Sequence, residues 1–321
     1  MGNITQWLKK IRSDEFRWYD HFLLTGFASL VLALSGQVLG LFIQGLLKWL
    51  TDGEAPLATT AIRYFGTIGT WIVMIAFLLI VRRRRPILKA ISSETKGNTL
   101  KNFLIGLAIG FGMNFSCALV AMANRDIHIH FDSFDLFGLL LMFFCVFVQS
   151  SSEEVVDRAY YYQCLRKGYR SPFFAIIMNA LIFSLMHFSN PGFTFMSFLN
   201  ILASGIMASL AVYYFDSLWM AFGIHTAWNY TQNILLGLPN SGAVVPFSLF
   251  KLDTASATNS FAYNVDFGIE GTLLSTILLY VVCLAFFLIG RKYGPKSHNI
   301  WKEEIRPVET DKKEASSKSE A

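Results

Sequence analysis

Charge is what this chain has least of. Asp, Glu, Lys and Arg make up 15% of its 321 residues, against roughly 25% in soluble domains. With 54% hydrophobic residues, 30 Phe and a mean hydropathy of +0.45, that shortage excludes an ordinary soluble globular domain. Cysteine is scarce as well. Cys117, Cys145, Cys164 and Cys283 are scattered with no CxxC pair, so neither a disulfide framework nor a cysteine metal site is expected. Three of them fall in apolar runs and read as small buried hydrophobes. There is no H-E-x-x-H zinc helix, no G-x-S-x-G setting around Ser150 to Ser152, and no internal repeat of the kind transporters show. Residues 1–21 lack the short apolar stretch and small-residue cleavage site of a signal peptide. The net charge of +5 is modest and gives no reason to expect a nucleic-acid partner.

What the chain does have is long apolar runs. Eight are legible: Phe22 to Leu47, Ile62 to Val81, Phe103 to Met122, Phe134 to Gln149, Phe173 to His187, Phe193 to Phe215, Leu218 to Leu236 and Thr272 to Ile289. They are too long and continuous for barrel strands. They predict an all-α fold, a polytopic transmembrane helix bundle of about eight helices. The expected organisation is an amphipathic interfacial N-terminus (1–21), three transmembrane helices (22–122), a four-helix core (134–236), an extracytoplasmic loop (237–270), a last transmembrane helix (271–290) and a disordered, Lys/Glu/Ser-rich tail (291–321). Asp216-Ser217 leaves room only for a tight helical hairpin between the sixth and seventh runs.

Lys and Arg are distributed unevenly. With eight passes, one side receives the N-terminus, Arg82–Arg85, Arg166–Arg170 and the Arg291–Lys296 segment. The other receives Asp52 and Glu54, the loop with Arg125, and the loop with Lys251, Asp253 and Asp266. The positive-inside rule then puts both termini in the cytoplasm of a multi-pass cell-membrane protein.

Inside this apolar background sits Glu153-Glu154-Val155-Val156-Asp157-Arg158. Ionisable groups at membrane depth are costly, usually paired and usually functional. On a helix Glu154 and Arg158 share a face in the favourable acid-first order, while Glu153 points about 100° away and stays free to act. His187 ends the fifth run. His225 and Asn229, four apart, share one face of the seventh. Asn179, Gln232 and Asn233 read as interhelical glue.

A carboxylate beside a histidine can hold a water and take its proton. A His and an Asn on one face can donate to an oxygen that gains negative charge. The combination suits hydrolysis of a carbonyl bond, most simply an amide, in a water-filled pocket expected at the inner leaflet. Nothing activates Cys145 as an alternative nucleophile. Glu153, His187 and His225 could instead supply three zinc ligands with water in the fourth position. That alternative ranks second, because Asn229 suits an oxyanion donor better than a ligand.

The ordered trio Glu153-Glu154-x-x-x-Arg158, Phe183-x-x-x-His187 and His225-x-x-x-Asn229 resembles the three-motif signature of the CPBP family. That family includes the type II CAAX prenyl endopeptidases and the bacterial Abi-type proteins, among them bacteriocin self-immunity proteins. The linking stretch Asn190-Pro191-Gly192-Phe193, with Asn200, Gly205 and Ser217-Leu218-Trp219, fits as well. The resemblance covers roughly residues 134–236. It implies a bacterial intramembrane endopeptidase with Glu153 as the water-activating base and His187 as its partner. It further implies an oxyanion hole of His225 and Asn229, and an orienting pair in Glu154 and Arg158. Members are often labelled metalloproteases, but no cofactor is expected here, with zinc as the alternative. The implied partners are the lipid bilayer and a membrane-embedded or lipid-modified peptide or protein substrate. A non-catalytic immunity or scaffold protein of the same fold is the competing function.

Overall fold

The computed structural model describes residues 10–51, 54–294 and 300–301. The expectations for residues 1–9, for Asp52 and for most of the C-terminal tail lie outside the described residues.

Among the described residues, nine helices of ten residues or more organise the fold. They are α1 (Phe22–Thr51), α2 (Pro56–Phe65), α3 (Ile68–Ile80), α4 (Leu100–Ala123), α5 (Leu136–Gly168), α6 (Pro172–Met186), α7 (Phe195–Phe215), α8 (Leu218–Asn229) and α9 (Leu273–Tyr293). α2 and α3 are two halves of one 25-residue span, bent at Gly66-Thr67. Side chains that accept from the first free backbone N–H groups set several starts: Asp135 for α5, Ser171 for α6, Thr194 for α7, Ser217 for α8 and Thr272 for α9. Asp216 takes the left-handed conformation (φ 52°), which makes the tight turn between α7 and α8.

Among the described residues, six helices are long and apolar enough to cross a membrane: α1, the α2–α3 unit, α4, α5, α7 and α9. The fifth and seventh expected spans are shorter. α6 has 15 residues, stopping where His187 leaves the helix. α8 has 12 and continues as a wide π-type turn, Tyr230–Leu235. Two three-residue strands, β1 (Ile129–Phe131) and β2 (Phe250–Leu252), pair antiparallel with His130 opposite Lys251. They are the only strands among the described residues, beside isolated bridges such as Arg12–Tyr169.

A second difference concerns α5. The sequence suggests a span ending at Gln149, because a polar run follows. The helix instead continues through the acidic motif to Gly168, passing through a π-type segment at Val155–Tyr161. Part of the polar run is satisfied locally. The Ser152 hydroxyl donates back to Gln149 O at 2.7 Å, and Glu154 is paired with Arg158. Glu153 therefore lies about 25 Å along the helix from Leu136, at about 1.5 Å per residue, near its middle.

The loops collect at two ends. At the first, Arg84 Nη1 meets Asp20 Oδ1 at 2.8 Å, Trp219 Nε1 donates to Ile91 O, Trp301 Nε1 donates to Gln163 O, and Arg12 pairs with Tyr169. At the second, β1 pairs with β2, Ser260 Oγ donates to Asp126 Oδ2 at 2.6 Å, and Arg63 donates to Val244 O. The core packing that carries α8 is glycine-lined. A Cβ on Gly106 or Gly110 of α4 would strike the Met220 or Ile224 carbonyl of α8, so these two backbones touch. Asn179 accepts from Ser209 Oγ and donates to Asp157 O. Gln232 accepts from Asn114, and Asn233 accepts from Tyr64 OH. These three side chains tie helices together.

Candidate active site

α5, α6 and α8 bring Glu153, Glu154, His187, His225 and Asn229 to one cavity of about 320 Å³. Glu153 Oε2 lies 3.9 Å from His187 Nε2 and 3.8 Å from His225 Nε2. Both rings are held from behind. His187 Nδ1–H donates to the Phe183 carbonyl at 2.9 Å, a carbonyl being able only to accept. His225 Nδ1–H donates to Glu154 Oε1 at 2.9 Å. The other nitrogen of each ring, Nε2, faces the same carboxylate oxygen.

Glu154 is spoken for. Its Oε1 also accepts from Arg158 Nη1 at 3.0 Å, with both side chains almost fully buried. The guanidinium stacks over the Phe183 ring, 4.1 Å from its centre. Arg158 Nε and Nη2 and Glu154 Oε2 have no hydrogen-bond partner, so the charge pair depends on its single contact and on the aromatic face. Gly205 of α7 makes room for it. A Cβ there would lie 2.9 Å from Ala180 Cα and 3.4 Å from Arg158 Nη2.

Asn229 is in the cavity wall but is not free to donate. Its Nδ2 is bonded to Gln149 Oε1 (3.0 Å) and Ser150 Oγ (3.2 Å). Gln149 Nε2 donates in turn to Glu153 Oε1 at 2.5 Å. On the other side Asn240 Nδ2 donates to both Asn229 Oδ1 (3.1 Å) and Glu270 Oε1 (3.2 Å). An unbroken chain of side-chain hydrogen bonds therefore runs Glu270–Asn240–Asn229–Gln149–Glu153. Its direction is fixed by the two terminal carboxylates, which can only accept, so every amide between them has one allowed orientation.

Glu270 is also held by Trp228 Nε1 at 3.0 Å and by the Ser241 N–H and hydroxyl. Burial pushes its carboxyl above the usual carboxylate range, while the Ser241 and Trp228 bonds pull the other way.

Gln149, Asn240 and Glu270 were not legible as site residues. For Gln149 a signal exists, since it lies four residues before Glu153 on the same helix face. Asn240 and Glu270 belong to a loop, and nothing local marks them. Gln149→Leu removes the hydrogen bond that holds Glu153 and frees one Asn229 hydrogen. The expected result is a kcat lower by roughly 10- to 100-fold, the scale of one lost hydrogen bond to a charged group, at normal membrane abundance. Turnover measured beside an immunoblot checks it.

The zinc alternative meets an obstacle in the donor set. Both Nε2 atoms do face Glu153, yet among the described residues no three His, Cys, Asp or Glu side chains are grouped as ligands of one ion. Glu153 accepts from Gln149 through Oε1, while its Oε2 faces both histidines. No step is derived through zinc.

Six helices long and apolar enough to cross a membrane, among the described residues, fit a multi-pass membrane protein, and an acid–histidine cluster lies between its helices. Residues 135–231, which are α5 to α8, match the family model described as type II CAAX prenyl endopeptidase Rce1-like, so this part of the chain is similar to that family. No curated protein and no solved structure matches the chain.

Proposed function

We propose that the protein is an intramembrane endopeptidase that hydrolyses a peptide bond with water activated by Glu153. One observation carries the reading: two histidines, each pinned through Nδ1, aim Nε2 at one oxygen of one carboxylate from 3.8 and 3.9 Å. Those distances are too long for a direct hydrogen bond and suit a bridging water.

Glu153 takes a proton from that water as its oxygen attacks the scissile carbonyl. The carbonyl oxygen becomes an oxyanion next to His225 and Asn229. His225 donates to it from Nε2 when protonated, a charge that Glu154 stabilises at Nδ1. Asn229 donates by releasing Ser150, the longer of its two bonds. Proton delivery to the leaving amine, through Glu153 and His187, gives one carboxylate and one amine for one water consumed. Glu154 and Arg158 are positioning residues in this scheme. The substrate is a membrane-embedded or lipid-modified polypeptide, processed in a bacterial plasma membrane with both termini of the enzyme cytoplasmic.

Mass spectrometry of membrane peptides from cells carrying wild-type or Glu153→Ala protein tests the reading. Peptides whose cleavage depends on Glu153 support it, and identical peptide sets overturn it. If protection against a bacteriocin survives Glu153→Ala, the protein works as a non-catalytic immunity factor. We also expect the reconstituted enzyme to keep full turnover after exhaustive treatment with a zinc chelator. Loss of activity that added zinc restores would reverse the metal-free mechanism.

A further inference from the structure

Glu270 belongs to none of the three motifs, yet it is a buried carboxylate in the cavity wall. Four donors converge on it. Trp228 Nε1 (3.0 Å) and Asn240 Nδ2 (3.2 Å) meet Oε1, and the Ser241 hydroxyl (3.0 Å) and N–H meet Oε2. Among the described residues it has no ion-pair partner. A carboxylate has about four lone-pair sites, and here all are taken. Glu270 has nothing left with which to hold a water or a substrate, so it acts only through its donors.

Those donors lead to Asn229. Trp228 precedes it on α8. Asn240 Nδ2, while donating to Glu270, also donates to Asn229 Oδ1 at 3.1 Å. The backbone is shaped to bring them together. Asn240 and Ala243 exchange N–H···O bonds of 2.9 and 2.8 Å around Ser241 (φ 47°) and Gly242 (φ 81°). Positive φ at both central residues is what a two-residue hairpin of type I′ requires. Serine adopts it at a cost, and there both its N–H and its hydroxyl reach Glu270. Gly268 (φ 85°) bridges to Asn240 from the other side, and a Cβ on it would strike the Pro239 carbonyl.

The Asn229 amide has two orientations half a turn apart. One turns its N–H groups to Gln149 and to the oxyanion of the proposed reaction. The other turns an acceptor there, which would repel that oxygen. Two locks select the first. Gln149 is one, and its own orientation is set by Glu153 Oε1. That lock loosens during turnover, because Glu153 becomes a poorer acceptor once it has taken the proton of water. The other lock, Asn240 held by Glu270, takes no part in the proton transfers.

We propose that Glu270 is a positioning residue for the oxyanion hole. Through Asn240 it holds Asn229 Oδ1, and so keeps Nδ2 turned toward the reacting oxygen while Glu153 carries the proton. This role presupposes the peptidase reading.

The test uses full-length enzyme in liposomes and a quenched fluorescent peptide that copies a Glu153-dependent cleavage site. Asn240→Ala removes the link and leaves Glu270 three donors. Glu270→Gln leaves two lone-pair sites for four donors, so Asn240 is held less firmly. At wild-type abundance, Asn240→Ala is expected to lower kcat roughly 10-fold, the scale of one hydrogen bond, with KM little changed. Glu270→Gln is expected to shift kcat the same way by no more than that. In an Asn229→Ala background neither change should lower kcat further, because the residue they act through is gone. A merely structural role would lower kcat by the same factor in both backgrounds.

A wild-type kcat in Asn240→Ala or in Glu270→Gln overturns the proposal, as does an equal loss in the two backgrounds. Should Glu270→Gln fail to accumulate, Asn240→Ala decides. If neither accumulates, the cluster is a folding device and the positioning role falls. Unchanged cleavage in Glu153→Ala would instead remove the peptidase reading itself. An inactive Glu153→Ala beside a fully active Asn240→Ala removes only the role of Glu270.

Discussion

Glu153→Ala protein is expected to accumulate in the membrane like wild type and to cleave nothing. The two halves of that result come from different features of one side chain. Glu153 is the more accessible acid of the pair, with a third of its side chain exposed in the cavity. It shares no ion pair with Arg158, and its one direct hydrogen bond comes from Gln149. Removing it strands no buried charge, and Gln149 can turn to water in the cavity. The proposed chemistry, by contrast, loses the only carboxylate that both Nε2 atoms face. A positioned general base contributes roughly 10²- to 10⁴-fold, and here the same group also holds the nucleophilic water, so loss at or beyond the upper end is expected. Measuring abundance by immunoblot and cleavage by peptide mass spectrometry in the same membranes separates the two. Wild-type cleavage in this variant would remove the mechanism, and loss of the protein itself would mean that Glu153 is a structural residue.

Much of this contrast was legible in the sequence. Spacing alone placed Glu154 with Arg158 and turned Glu153 away, because helix geometry fixes those angles once the segment is helical. It also put His225 and Asn229 on one face. Asn179, Gln232 and Asn233 make the interhelical bonds expected of polar residues in apolar helices.

What failed to show were properties of the assembled bundle. The sequence ended the fourth span at Gln149 because Ser150 to Arg158 looks too polar for a membrane. Only the local bonding, Ser152 to Gln149 O and Glu154 to Arg158, reveals how part of the run is satisfied there. The chain from Glu153 to Glu270 joins a helix to a loop more than 100 residues later in sequence, and no periodicity predicts such a contact. Nor does spacing disclose that Asn229 is already committed to Gln149 and Ser150. The oxyanion role therefore needs a rearrangement that the motif alone does not suggest.

Arg158→Ala is expected to give the opposite phenotype to Glu153→Ala, with little folded protein in the membrane. The guanidinium is fully buried, and it is the one cation that Glu154 contacts apart from a protonated His225. Its removal leaves a buried carboxylate whose second oxygen already lacks a partner. It also empties the space over the Phe183 ring. Breaking a buried pair by deleting one partner costs about 3–5 kcal/mol, whereas replacing both partners with neutral groups of similar size is often neutral or stabilising. The double variant Glu154→Gln/Arg158→Met should therefore recover abundance. Met fills the volume beside Phe183, and the Gln carbonyl can still accept from His225 Nδ1–H. Turnover should not recover with it, because a neutral amide no longer stabilises the imidazolium that donates to the oxyanion. Abundance restored without activity would show that the pair is retained for the charge it lends His225 rather than for stability. A double variant as depleted as Arg158→Ala would show instead that the bundle needs the ion pair itself, and restored turnover would remove Glu154 from the mechanism.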